Sequence, residues 1–148
     1  MEYIAPHRVI SREVTEGDLL RVKLDAKEMY TLYSPQSSFL ALSHCQVTDK
    51  DPLRFFILSD GTVIVNPVIE RHVNYTVDSQ EGCMTFPEND YIIKKRWRKI
   101  EAKWFELQED KLIERTGTVK DLPSFVFQHE INHMDGIYCY DDITTQQG

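Results

Sequence analysis

The chain has 148 residues, 41% hydrophobic and 28% charged, a size and balance that suit one domain, spanning residues 1–148, with its own core. Its net charge of −7, from 17 basic and 24 acidic residues, argues against the broad basic face of a general nucleic-acid binder. No apolar run approaches the ~20 residues of a membrane helix, and the start MEYIAPHRVI lacks the basic and apolar regions of a signal peptide, so a cytoplasmic protein without membrane contact is expected.

In chain order, Leu24 to Leu32 predicts a helix with Leu24, Met29 and Leu32 roughly on one side, and Ser34-Pro35-Gln36-Ser37-Ser38 reads as its break. Phe55 to Leu58, then Ser59-Asp60-Gly61, then Val63 to Val65 reads as strand, turn, strand, closed by Asn66-Pro67. The stretch Tyr91 to Leu107 is rich in aromatic and β-branched residues and predicts one or two more strands. Its basic run, Lys94 to Lys99, is expected on the solvated side of a strand. A helix near the end is the clearest element. Asp121 is placed to cap it, Pro123 suits its first turn, and Gly136 stands where a left-handed stop belongs. Leu122, Phe125, Val126, His129 and His133 fall at helical spacing and are expected to face inward. Strands first and a buried helix last predict an α+β domain.

That helix carries His129-Glu130-Ile131-Asn132-His133. Histidines at i and i+4 stack on one helical face, so both imidazoles can reach one metal ion. Glu130 is turned aside and can act on a water beside the ion. Two histidines leave a hydrolytic metal one protein ligand short. After His133 there is no further Glu or His; Asp141 and Asp142 are the acidic candidates, Asp135 being too close on the same helix. Upstream, Cys83 stands in the stretch Glu81-Gly82-Cys83-Met84-Thr85-Phe86-Pro87, where a thiolate can approach a metal, and it is read as the third ligand. The three cysteines Cys45, Cys83 and Cys139 are an odd number without a secretion signal, which favours metal binding, catalysis or burial over a disulfide scaffold.

The stretch Glu81 to Pro87 resembles the EGCLSxP motif of peptide deformylases, and Gln128 to Gly136 resembles their QHExDHLxG motif. Phe39 to Val47 is a worn form of the family's GxGLAAxQV, and Val63 to Val68 is similar to its Asn-Pro strand. The resemblance covers about residues 24 to 140. It implies antiparallel β-sheets packed around a central helix carrying HExxH. It also implies Cys83, His129 and His133 as metal ligands with water in the fourth position, and Glu130 as general acid and base. Gln46, through its side-chain amide, and Met84, through its backbone N–H, are implied as the oxyanion hole. Leu40, Ala41, Gly82, Leu122, Phe125 and Val126 are implied along the substrate. The implied reaction removes the formyl group from N-formylmethionyl peptides, releasing formate.

A thiolate ligand suits Fe(II), Ni(II), Co(II) and Zn(II), and the family implies Fe(II). The chain departs from the motifs where Phe39 and Ala41 replace glycines, where His44 and Cys45 replace a small and a variable residue, and where Asn132 stands for Asp. Cys45 is expected as a buried small hydrophobe and His44 as a structural or surface residue. The short stretch after Gly136 resembles bacteriophage-encoded deformylases, which implies weak ribosome association and residence in a host bacterial cytoplasm. Two other readings are another metallohydrolase on this scaffold (a peptidase or N-deacylase) and a non-catalytic metal-binding protein.

Overall fold

A computed structural model describes residues 1–36, 40–82 and 91–141. Its elements are α1 (Leu19–Tyr33), β1 (Ala41–Ser43), β2 (Phe55–Leu58), β3 (Val63–His72), β4 (Thr76–Glu81), β5 (Ile92–Trp97), β6 (Lys99–Gln108), β7 (Lys111–Lys120) and α2 (Leu122–Met134). One sheet has five strands in the order β1-β2-β3-β6-β7, and β4 and β5 form a second. All strand pairs are antiparallel, so the expected α+β architecture is observed. No helix among the described residues is long and apolar enough to cross a membrane.

Two apolar clusters hold the helices to the large sheet. One joins Val22, Ala26 and Met29 of α1 to Leu42, Phe55, Ile57 and Val65. The other joins Phe127 and Met134 of α2 to Phe56, Ile64, Ile100 and Ala102. Phe56 and Phe55 are neighbours in β2 and serve opposite clusters, as the two-residue period of a strand requires. Phe127 meets Phe56 edge to face at 5.5 Å and Trp104 at 5.2 Å, the geometry that the aromatic quadrupole favours.

The first helix is longer than predicted and turned. Its buried residues are Val22, Ala26, Met29 and Tyr33, whereas Leu24 and Leu32 are exposed. Nor does Asn66-Pro67 close a strand. Asn66 adopts φ +50, a left-handed conformation that asparagine tolerates, and its amide receives the Val14 N–H at 2.9 Å and donates to the Val14 carbonyl at 3.0 Å. The register shifts between Val65 and Val68 and the strand resumes, a bulge rather than an end.

At α2, Pro123 lies in the first turn as expected, and Asp121 occupies the N-cap position. Its carboxylate makes no cap hydrogen bond, however, and receives one from Arg98 at 3.1 Å. Gly136 ends the helix region at φ +78, and a Cβ there would lie 3.1 Å from the Arg8 carbonyl oxygen. Gly136→Ala is therefore expected to combine left-handed strain with this backbone contact, costing about 1–2 kcal/mol. Thermal unfolding should show Tm lower by about 3–6 °C; an unchanged Tm would show that neither the left-handed conformation nor the Arg8 carbonyl opposes a side chain there.

Candidate active site

The inward face of α2 differs from the predicted stripe. Ser124, Phe127, Gln128, Glu130, His133 and Met134 are buried, Leu122 is exposed, and Phe125, Val126 and His129 are half-buried. The helix packs against the large sheet on one side and β5 on another, so a single apolar stripe does not describe it. Gln128 shows how the second contact is made. Its amide oxygen accepts the Trp97 N–H at 3.0 Å, and its nitrogen donates to the Trp97 carbonyl at 2.8 Å and to Ser124 Oγ at 2.9 Å. One side chain thus reads the backbone at the end of β5 and fixes that strand on the histidine-bearing helix.

His129 and His133 lie with ring centroids 4.4 Å apart, and one ligand atom from each, with a Glu130 oxygen, falls within 4.8 Å of the others. The i, i+4 pairing expected from the sequence is therefore made. His129 Nδ1 is 2.9 Å from Glu81 Oε1. Burial would push the Glu81 carboxyl up, but the hydrogen bonds from Arg96 and His129 outweigh it and hold it at about 2. Glu81 is then an acceptor only, so Nδ1 carries the proton and Nε2 presents its lone pair, the arrangement in which carboxylates back metal-binding histidines. These donors suit a divalent transition metal.

Behind the histidine lies a buried ionic group that sequence reasoning missed. Arg96 donates to both Glu81 oxygens at 2.8 Å and to Asn132 Oδ1 at 2.6 Å. Arg96, Lys94 and Glu81 are all buried, which corrects the expectation of a solvated basic run at Lys94 and Arg96, whereas Lys95, Arg98 and Lys99 are exposed as expected. Residues Lys94 to Trp97 of the run lie in β5, whose alternation sends Lys94 and Arg96 inward and Ile93 and Lys95 outward. Burial lowers the Lys94 ammonium pKa. The signal available in the sequence was this alternation; the partner in β4 was not visible from it. Asn132, the departure from the motif's Asp, is the third corner of the group.

Glu130 is buried, and its Oε1 receives the Ser43 hydroxyl at 2.6 Å and lies 3.4 Å from His133 Nδ1. Burial would raise its carboxyl pKa, yet the charges of His133 and His129 and the Ser43 hydrogen bond bring it below the usual range. Gln46 belongs to a buried 3-10 turn, His44–Gln46, and its Oε1 accepts the Ser43 N–H at 3.0 Å. That bond makes the NH2 end of the Gln46 amide the donor end. His44 is structural: its Nδ1 accepts the Leu53 N–H at 3.0 Å, its Nε2 meets Asp25 at 2.8 Å, and its ring stacks on Phe55 at 4.6 Å. Cys45 is buried as expected.

Cys83, Met84 and Phe39 lie outside the described residues, as does Asp142. Asp141, the other acidic candidate, is engaged by Arg8 at 2.5 and 2.7 Å. Cys139, not predicted as a ligand, is buried with its sulfur within 4.8 Å of ligand atoms of Glu81 and His129. Among the expected substrate contacts, Leu40 and Leu122 are exposed, and Ala41 and Val126 pack at the edge of the second cluster. Phe125 is half-buried. At Gly82 a Cβ would meet the Tyr91 ring at 2.7 Å, so the glycine permits a close approach there.

The family model described as polypeptide deformylase matches residues 29–148. A peptide deformylase of Thermotoga neapolitana is 28% identical over 136 residues, covering 90% of this chain and 78% of the relative. One from Ligilactobacillus salivarius is 33% identical over 87 residues, 57% of this chain but only 45% of that protein's length. Among solved structures, the peptide deformylase of the Vibrio parahaemolyticus bacteriophage VP16T, in complex with actinonin, aligns with TM-score 0.74 at 27% identity, covering 93% of this chain and 99% of that one. Arabidopsis thaliana peptide deformylase 1B aligns with TM-score 0.80 at 22% identity, covering 99% of this chain and 83% of that one, a likeness of fold.

Proposed function

The chain belongs to the polypeptide deformylase family, and from that premise we propose that it hydrolyses the formyl group from N-formylmethionine at the amino terminus of peptides, releasing formate. The observation that carries the reading is the Glu81-backed His129 beside His133 and the buried Glu130, all within the matched residues. His129 and His133 would hold one divalent ion, with Cys83 as the third ligand by resemblance. Fe(II) is the expected occupant, and Zn(II), Ni(II) or Co(II) would also suit these donors. When bound, the ion supplies Lewis acidity towards water and the formyl oxygen.

The chain's own residues supply the rest. Glu130 takes a proton from the attacking water and delivers it to the departing amine, which is otherwise a poor leaving group. The Gln46 amide donates to the formyl oxygen as its negative charge grows, with the Met84 N–H as the partner donor. Leu40, Leu122, Phe125 and Val126 give the first side chain an apolar seat, with Ala41 and Gly82 beside the peptide backbone. We place the enzyme in the cytoplasm, with weak ribosome association. The basic run supports the latter reading, since Lys94 and Arg96 point inward and Lys95 and Arg98 pair with Asp78 and Asp121.

Formate release from formyl-Met-Ala-Ser by metal-loaded protein tests the reading, against acetyl-Met-Ala-Ser and the unmodified peptide. Formyl-methionine is expected to be preferred to formyl-alanine by roughly tenfold or more in kcat/KM, since the longer side chain buries more apolar area at about 25 cal/mol per Å². Equal or faster cleavage of the acetylated or unmodified peptide would point to an N-deacylase or a peptidase instead.

A further inference from the structure

We propose that Ser43 is a positioning residue for the deformylation reaction, holding the Glu130 carboxylate with its hydroxyl and the Gln46 amide with its backbone N–H. The inference rests on the reaction proposed above. Ser43 is the last residue of β1, fully buried, and its Cα is registered against Phe56 of β2 at one edge of the large sheet. It also begins the 3-10 turn that carries Gln46, in a capping-box arrangement with that residue. Its two donors are therefore fixed by the sheet rather than by a loop. The hydroxyl reaches Glu130 Oε1 at 2.6 Å and the N–H reaches Gln46 Oε1 at 3.0 Å.

The distribution of contacts on Glu130 gives the link its meaning. Ser43 and His133 both meet Oε1, and among the described residues no hydrogen bond falls on Oε2. One oxygen is held and the other can exchange the proton. A hydrogen bond from a hydroxyl to a carboxylate is among the stronger ones, and in a water-poor setting it restricts the rotation of a group that must face its reactant in one orientation. On the other branch, the bond to Gln46 Oε1 turns the amide so that its nitrogen is the donor. The group that moves the proton and the group that steadies the oxygen are thus placed by a single residue. In the GxGLAAxQV pattern this position is alanine, which lacks the hydroxyl.

Ser43→Ala removes the hydroxyl and leaves the backbone bond to Gln46 in place. In the metal-loaded protein, kcat is expected to fall by roughly five- to twentyfold with KM within about twofold, and the Co(II)-loaded absorption spectrum is expected to match that of the wild type. A cycle without substrate or metal isolates the bond itself. Ser43→Ala should lower Tm by about 4–8 °C when Glu130 is present, and by much less in a Glu130→Ala background. A kcat within twofold of wild type, or equal Tm losses in both backgrounds, would overturn the proposal. Because the unfolding cycle uses no substrate, a wild type that releases no formate would count against the proposed reaction and remain distinct from a failure of the Ser43–Glu130 bond.

Discussion

Glu130→Gln is expected to keep the fold and the metal and to lose at least about a hundredfold in turnover. The substitution preserves length and planarity, and its amide oxygen can still accept the Ser43 hydroxyl that now lies 2.6 Å from Oε1. It removes the oxygen that can take up a proton. Positioned proton transfer contributes on the order of 10²–10⁴ in rate, and here one group must serve in both directions, to the amine as well as from water. In the proposed reaction His129 and His133 would not replace it, because Nδ1 of His129 is committed to Glu81 and both imidazoles would be held by the metal. The measurement is steady-state formate release, with metal content determined on the same samples. Near wild-type turnover at full metal occupancy would remove Glu130 from the mechanism and assign the proton transfers to another group.

Much of this arrangement could be read from the sequence because its carriers are local. His129 and His133 share a helical turn, and Pro123 and Gly136 mark where that helix starts and stops, so α2 and its pair of imidazoles followed from spacing. The strand–turn–strand of β2 and β3 was equally local. Errors arose where burial has two sides. Leu122, Phe125 and Val126 looked like the single inward face of α2, but the helix is covered on more than one side, and polar Ser124 and Gln128 are among its most buried residues. Leu24 and Leu32 misled in α1, where small Ala26 and Val22 fill the space against the sheet.

The supporting shell was not readable, because its partners lie far apart in the chain. Ser43 and Glu130 are 87 positions apart, and Glu81 and His129 are 48 apart. A serine in a short strand and a glutamate before a glycine carry no local sign of such pairing. Even the alternation within Lys94 to Trp97 could not reveal that Lys94 and Arg96, rather than Lys95, turn inward. A strand that buries arginine requires an anion on the facing element, and that anion is supplied by β4. The departure of Asn132 from the motif likewise makes physical sense only once Arg96 is seen to donate to it at 2.6 Å.

Arg96→Met should destabilise the protein by about 3–5 kcal/mol and weaken metal binding by roughly 10–100-fold. Methionine keeps apolar volume in the space of the arginine stem but leaves the Glu81 carboxylate buried without its two 2.8 Å partners. The loss of stability comes mainly from that uncompensated charge. Weaker metal binding follows because Glu81 fixes the His129 ring through Nδ1, and a carboxylate freed from Arg96 can rotate or take up a proton. The pH dependence carries a sign that can be checked in metal-free protein. Burial pushes Glu81 up, but Arg96 and His129 hold its folded pKa at about 2, below the ~4.3 of an ordinary unfolded glutamate. A depressed carboxyl contributes stability that is full above the unfolded value and fades as pH falls through the folded one. The gap between wild type and Arg96→Met should therefore be widest near neutrality and narrow between about pH 4 and pH 2. The double variant Glu81→Gln/Arg96→Met, with no charge left in the pair, should recover part of the stability at neutral pH without recovering the metal affinity. Urea unfolding at several pH values and competition with a chelator give both numbers; an Arg96→Met protein that matches wild type in each would show that the buried group neither supports the fold nor orients His129.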